Sequence, residues 1–251
     1  MKKKEVELCR YFLKDSVRLT IDFSTTDQNT GTPPPPIEKP CAEDQKKVDL
    51  VQKDKWRSIP GVDLMTAIQN RKSRRHFRPE PLALEELSFL LWATQGVRKK
   101  VDAGTAFRTV PSAGCRHALE TYLCVLNVTG LDQGIYRYRP LEHQLVFERG
   151  EEDLAEKVSN AALGQHFLSD APVTFIWTAV PYRMEWRYAT AAHKVIAIDA
   201  GHVCQNLYLA CEAIGAGTCA VAAYHQELMD SLLGVDGTEE FTIYLAPVGK
   251  I

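Results

Sequence analysis

A stretch of helix length that is apolar on several sides, residues 193–214 (HKVIAIDAGHVCQNLYLACEAI), constrains this chain more than any other segment. Such a helix must be covered on more than one side, so the fold has to be built around it. Asp199, His202, Gln205, Asn206 and Glu212 interrupt it at a density that a membrane span would not tolerate. Gly215 then stops it. Around it, ETYLCVLNV (120–128) reads as a core strand, GIYRYR (134–139) and QLVFE (144–148) as a hairpin, and VTFIWTAV (173–180) as a buried strand. Helices are expected at 84–94, 151–163 and 226–233, a strand or extended loop at 217–223, and a final strand at 241–248. Strands and helices are intermixed without regular βαβ alternation, which gives an α+β sheet rather than a doubly wound one.

The second constraint is electrostatic. Residues 71–78, RKSRRHFR, place five fixed cations and a histidine around one serine in a chain of net charge -2. Val62, Leu64, Met65 and Ile68 recur at helical intervals before this run, and Asp63 is placed to cap them, so a helix is expected over 63–72. Arg78 precedes Pro79, which forces an extended exit. The run is therefore a turn between two helices, where Arg71, Lys72, Ser73 and Arg75 can converge on one phosphate-sized anion. A solvated basic turn or a nucleic-acid patch is the competing reading.

Composition narrows the choice. A pI near 6.4 argues against a general polyanion binder, which would spread a basic surplus over a whole face. The seven cysteines form no C-x-x-C pair, so neither a disulfide framework nor a cysteine zinc site is expected, and several sit in apolar stretches where a thiol packs as a small hydrophobe. A reducing, cytoplasmic setting follows. MKKKEVELCRYF has a basic start with no apolar region after it, so no secretory signal is expected. Residues 1–55 read as a polar arm with a polyproline-like stretch, TPPPPIEKP, that reaches a neighbour, and 56–251 as the globular domain.

Familiar reaction machinery is missing from the sequence. Gly215-Ala216-Gly217 follows a helix and lacks the third glycine of a dinucleotide fingerprint; no phosphate-loop lysine, helical histidine pair for a metal, or G-x-S-x-G turn is present. An anion site without an evident acid, base or nucleophile suits a cofactor that brings its own reactivity.

The run RKSRRHF at 71–77 resembles the R-[RH]-S-x-[RK]-x-F signature of the FMN-dependent nitroreductase superfamily. PSAG at 111–114, DAPV at 170–173 and DAGHVCQNLYLACEAIGAG at 199–217 are similar to further family segments, in family order. LSFLLWATQGV, PSAGCRHALETYL, GIYRYRPLEHQL, DAGHVCQNLYLA and PVGK resemble the SagB-type branch most closely. The resemblance implies a nitroreductase-like α+β fold: a mostly antiparallel central sheet flanked by helices, a long buried central helix, and an intertwined homodimer with two FMN sites built from both chains. Arg71 and Ser73 would hold the FMN phosphate or ribityl chain with Lys72 beside them, and Arg75 would reach the pyrimidine edge. Reduced flavin carries negative charge there, so a cation stabilises it. Pro111, Ser112, Ala113 and Gly114 would come from the second subunit and lie close to the flavin face. Ala220, Val221, Ala222 and Ala223 would line the opposite face, although a buried strand would look the same. Gln165 falls near the flavin carbonyl edge, where a polar helix terminus explains it equally well. Lys250 stands in for the arginine that relatives place beyond the last strand.

The leading functional expectation is hydride transfer from NAD(P)H through FMN to an electron-poor small-molecule acceptor, with no nucleic acid, membrane or metal involved. The alternative is a SagB-type dehydrogenase that oxidises a thiazoline or oxazoline in a peptide, with Tyr188 as acid or base. Relatives of that type carry Lys-Tyr where this chain has Arg187-Tyr188, and a permanently protonated arginine is a poor proton shuttle. A flavin-fold scaffold without turnover is the third reading, against which the intact 71–75 motif argues.

Overall fold

The structure, a computed structural model, describes residues 3–251. From the N-terminus the chain forms α1 (Lys3–Leu13), β1 (Lys47–Asp49), α2 (Leu64–Asn70), α3 (Leu84–Gln95) and a small hairpin, β2 (Val97–Lys100) with β3 (Ala106–Arg108). Then follow β4 (Leu119–Val125), β5 (Gly134–Arg139), β6 (Gln144–Arg149), α4 (Leu154–Ala161), β7 (Val173–Ala179) and α5 (Tyr182–Tyr188). The chain ends with α6 (Ala192–Ala213), β8 (Ala216–Thr218), α7 (Gln226–Leu233) and β9 (Phe241–Lys250). Seven strands make one sheet in the order β1-β6-β5-β4-β7-β9-β8, with neighbouring strands antiparallel.

Alternation along β4 decides what each face of the sheet meets. Leu119, Leu123 and Val125 join Phe175, Trp177, Val203 and Leu207 in the core beneath α3 and α6. Tyr122 and Cys124 point the other way, to Ile176, Leu245, Val158 and Met229 under α4 and α7. That same alternation sends Glu120 to the second face, and cross-strand pairing sets Arg137 beside Tyr122. Glu120 and Arg137 are each 2% exposed, so a charge-satisfying cover is obligatory. Residues 32–40 supply it. The backbone N–H of Lys39 donates to Glu120 at 2.7 Å, Arg137 donates to the carbonyls of Lys39 and Pro40 at 3.1 and 3.0 Å, and Arg108 donates to that of Ile37 at 2.7 Å.

The arm expected to reach a neighbour is instead a strap on its own domain, and β1 pairs with β6 as an edge strand of the main sheet. Other differences are local. The 71–78 run is extended rather than a turn between helices, with Ser73 bridged to Thr218 in parallel and Arg78 N–H on the Lys250 carbonyl at 2.9 Å. Cys124, Cys204, Cys211 and Cys219 are buried, and all seven cysteines are free. No helix among the described residues is long and apolar enough to cross a membrane.

α6 spans about 33 Å at 1.5 Å per residue. Ala192, Ile196, Ala200, Val203, Leu207 and Cys211 bury one face of it, whereas Ile198 on the opposite face is 47% exposed. α2 contacts α6 and leaves its own apolar residues in solvent: Leu64 is 62%, Met65 78% and Ile68 57% exposed.

The strap carries a titrating latch. Glu38 is 8% exposed, accepts the Leu141 N–H at 3.0 Å, and lies 3.3 Å from Arg139, which Glu142 also engages at 2.9 Å. Burial, joined by repulsion from Glu142, pushes the Glu38 carboxyl up from 4.5 to about 7. The folded state therefore favours the protonated form, and the stability this gives is complete below the unfolded value and lost as pH rises through about 7. Glu38→Gln is expected to flatten the dependence of Tm on pH across that window. Equal slopes for variant and parent in calorimetry would assign the dependence to another group.

Candidate functional site

The basic run is held by its own backbone at the sheet edge. Asp63 caps α2 by accepting the Thr66 N–H at 3.0 Å, and the helix stops at Asn70, so Arg71 is the first residue to leave it. Arg74 N–H then donates to the Thr218 carbonyl at 2.9 Å. Close approach needs glycine opposite: a Cβ on Gly249 would lie 2.8 Å from Phe77, and one on its strand partner Gly217 would collide with Arg74. Arg78 alone in the run has an ion-pair partner among the described residues, Glu80 at 3.4 Å.

Tyr208 on α6 organises what gathers there. Its ring lies under the Arg71 guanidinium at 5.2 Å, and its hydroxyl receives the Ala220 N–H at 2.8 Å and sits 3.0 Å from Ser73 Oγ. Arg75 extends over Phe167 at 5.8 Å, and Gln165 donates to the carbonyls of Ala162 and Ala223 at 2.9 Å each. One patch therefore unites Arg71, Ser73, Arg75, Gln165, Ala220 and Ala223. Lys72, Ala222 and Ala223 are exposed beside it. Val221 is buried, pairs with Leu245 through both backbone hydrogen bonds, and faces the core. Lys250 pairs with Glu86 and donates to the Ile214 carbonyl at 2.8 Å, so its ammonium serves the junction of α3 and α6.

A second group surrounds the 111–114 turn, near the other end of α6. Ser112 Oγ accepts the His117 N–H at 2.9 Å. Asp199, 4% exposed, faces Ser112 and Ala113 from α6, and burial pushes its carboxyl up. Gly114 has φ 58°, and a Cβ on it would lie 2.7 Å from the Tyr188 hydroxyl and 2.9 Å from Arg187 Cδ. A cavity of about 360 Å³ opens beside the turn, lined by Arg98, Phe107, Pro111, Ser112, Cys115 and His117. Burial and the nearby Arg108 push His117 down to about 3, so it is neutral at physiological pH. Asp199 and Tyr208 are separated by roughly 13 Å of helix rise. Within one chain the two groups are attached to α6 at that separation, rather than gathered into one pocket.

Tyr208, Phe167 and Asp199 were not among the site residues the sequence proposes. Only Asp199 carries a signal, as a carboxylate inside an apolar helix. Tyr208→Phe removes the acceptor from the Ala220 amide, and an unsatisfied amide costs ~1–3 kcal/mol. The variant is expected to unfold at lower urea concentration with an unchanged m value; an unchanged midpoint would mean that the hydroxyl is dispensable for holding Ala220.

Comparison with known proteins places the chain in a family. The Nitroreductase family pattern matches residues 68–250. A Methanocaldococcus jannaschii protein named as a nitroreductase is 33% identical over 192 residues, covering 76% of this chain and 93% of that protein. The trifolitoxin-processing protein of Rhizobium leguminosarum bv. trifolii is 26% identical over 166 residues, which is 63% of this chain and 44% of that longer protein. A nitroreductase-type crystal structure from Ralstonia eutropha superposes with a TM-score of 0.65 at 25% identity, covering 87% of this chain and 98% of that one. With a match across most of its length and a relative of this similarity, the chain belongs to the nitroreductase family, a family of oxidoreductases.

Proposed function

We propose that this protein is an FMN-dependent oxidoreductase that takes hydride from NAD(P)H and delivers it to an electron-poor small molecule. The observation that carries the reading is the gathering of Arg71 and Ser73 on Tyr208, with Arg75 over Phe167 further along the same run and no carboxylate among the described residues drawn to those two arginines. This donor set fits FMN. Arg71 and Ser73, with Lys72 alongside, offer charge-assisted and neutral donors to a phosphate. Arg75 offers a cation to the flavin edge that becomes negative on reduction, and the small side chains at 220–223 allow close approach of a flat ring. The half-buried Arg74 Nε has no partner, which leaves one more donor at this edge. Members of the family are generally flavin-dependent, which supports the assignment.

When bound, FMN would supply the hydride chemistry. The chain's residues bind and orient it: Tyr208 fixes the Ala220 backbone and Ser73, and Gln165 fixes Ala223. We assign the 111–114 turn to the site of a second subunit, in a homodimer with two shared sites. Support comes from the exposed apolar residues of α2 and α6, a patch that water does not favour, and from the separation of the two groups along α6.

A second reading, oxidation of an azoline ring in a peptide, is favoured by the placement of Tyr188 against Gly114 and by the similarity to a trifolitoxin-processing protein. Arg187 in place of lysine counts against it. Loss of two hydrogens from an azoline peptide, read by mass, separates this reading from reduction of a nitroarene.

The flavin site is tested by the Arg71→Ala, Ser73→Ala double variant. Two lost charge-assisted or polar contacts at ~1–3 kcal/mol each predict FMN binding weaker by roughly one and a half to four orders of magnitude. The purified variant is therefore expected to be colourless near 450 nm, the ordinary flavin band, to within about 10 nm. Full occupancy would sink the assignment.

A further inference from the structure

α5 carries Arg187 and Tyr188 to the 111–114 turn, and much of its attachment comes from the strap that precedes the family-matched region. Tyr182 at its start donates to Asp27 Oδ2 at 2.7 Å. The Gln28 N–H donates to the Trp186 carbonyl at 2.9 Å, and the Trp186 indole donates to the Thr32 carbonyl at 2.9 Å. Arg183 pairs with buried Glu120, whose same oxygen accepts the Lys39 N–H. Each turn of α5 is thus fastened to a residue between 27 and 39. Arg116, directly after the 111–114 turn and its cysteine, lays its guanidinium over the Trp186 ring at 5.0 Å.

Local backbone preference cannot do this work. α5 ends at Tyr188, and Ala189 continues with φ 46° and ψ -134°, a conformation that a residue with a Cβ disfavours. The joint between α5 and α6 therefore depends on contacts made elsewhere, and Trp186, 7% exposed, is where contacts from the strap and the turn meet.

We propose that residues 27–39 are a positioning element for α5 that sets Tyr188 and Arg187 against the 111–114 turn. The strap meets the 111–114 turn through α5, and its Ile37 carbonyl also holds Arg108, which lines the cavity beside that turn. The catalytic consequence rests on the azoline reading of the flavin site, in which Tyr188 is acid or base; the positioning does not.

The test uses the full chain carrying Asp27→Ala with Trp186→Phe, which removes two anchors and keeps an aromatic ring for Arg116. In hydrogen exchange, amides at 186–189 and 113–116 are expected to open roughly tenfold more often than in the parent, with the sheet unchanged. In oxidation of an azoline peptide, the reaction in which Tyr188 serves as acid or base, kcat is expected to fall roughly tenfold with KM nearly constant, and the same pair of changes should cost less than about twofold in a Tyr188→Phe background. Asp27→Asn, which keeps an acceptor for Tyr182, should restore part of the loss. Unchanged exchange at both segments, or losses that multiply with Tyr188→Phe, would overturn the proposal. Should the doubly substituted chain fail to fold, Tyr182→Phe, at a 40% exposed position, carries the same exchange and kinetic tests. A parent that binds no flavin defeats the site reading alone, and the exchange result still decides the positioning.

Discussion

The carboxylate of Glu120 is the point on which the second face of the sheet depends. At 2% exposure it has surrendered its water, and charge in such a place persists only with partners. Burial alone would raise its pKa, yet Arg183 beside it, with Arg137 and Arg108 further off, holds it below the usual carboxylate range. Its oxygen gathers a backbone N–H from the strap and a guanidinium from α5. Strand, strap and helix therefore meet at one anion. Stranding Arg183 without it would cost ~3–5 kcal/mol, a large fraction of an ordinary folding free energy.

The candidate site follows a different logic, since its cations are presented to solvent by a backbone that is fully committed. Arg71, Lys72 and Arg75 can point outward because the intervening Ser73 and Arg74 engage Thr218, while glycines on β8 and β9 let that segment lie flat. α6 links the two groups to the fold: Tyr208 supports the cationic end and Asp199 the turn end, on a helix whose buried face is set by the main core. Preorganisation of this kind spares the ligand the entropy of ordering the loop.

Much of this was legible in the sequence where local and tertiary preferences agree. Asp63 caps α2, the leucines at 84, 87, 90 and 91 bury one face of α3, and α7 runs over Gln226–Leu233 as its pattern requires. The β5 and β6 hairpin declares itself through alternation. The strap was read as an arm reaching a neighbour because polar, proline-rich sequence has no apolar periodicity, and its docking onto its own domain depends on buried arginines far away in sequence. β1 is three residues long and mostly charged, β2 is VRKK, and α5 holds two arginines and a glutamate, so none has a pattern that stands out. The exposed apolar side of α2 is the reverse case: its periodicity predicts a helix correctly but does not say whether the covering surface lies within the same chain. Tyr208 was invisible because an aromatic residue in an apolar helix looks like core until its hydroxyl finds Ser73 and Ala220.

The way this sheet ends has a bearing on solubility. A strand at the margin of a sheet offers unpaired amides and carbonyls to any passing chain, and long, flat margins seed aggregates. Here one margin is β1, three residues with a lysine and an aspartate at its ends, and the other is shielded by the Ser73 to Arg78 segment, charged along its length and followed by Pro79. The cationic segment proposed to gather an anion thus also covers the β8 side of the sheet against a foreign strand, so one stretch of chain answers both demands.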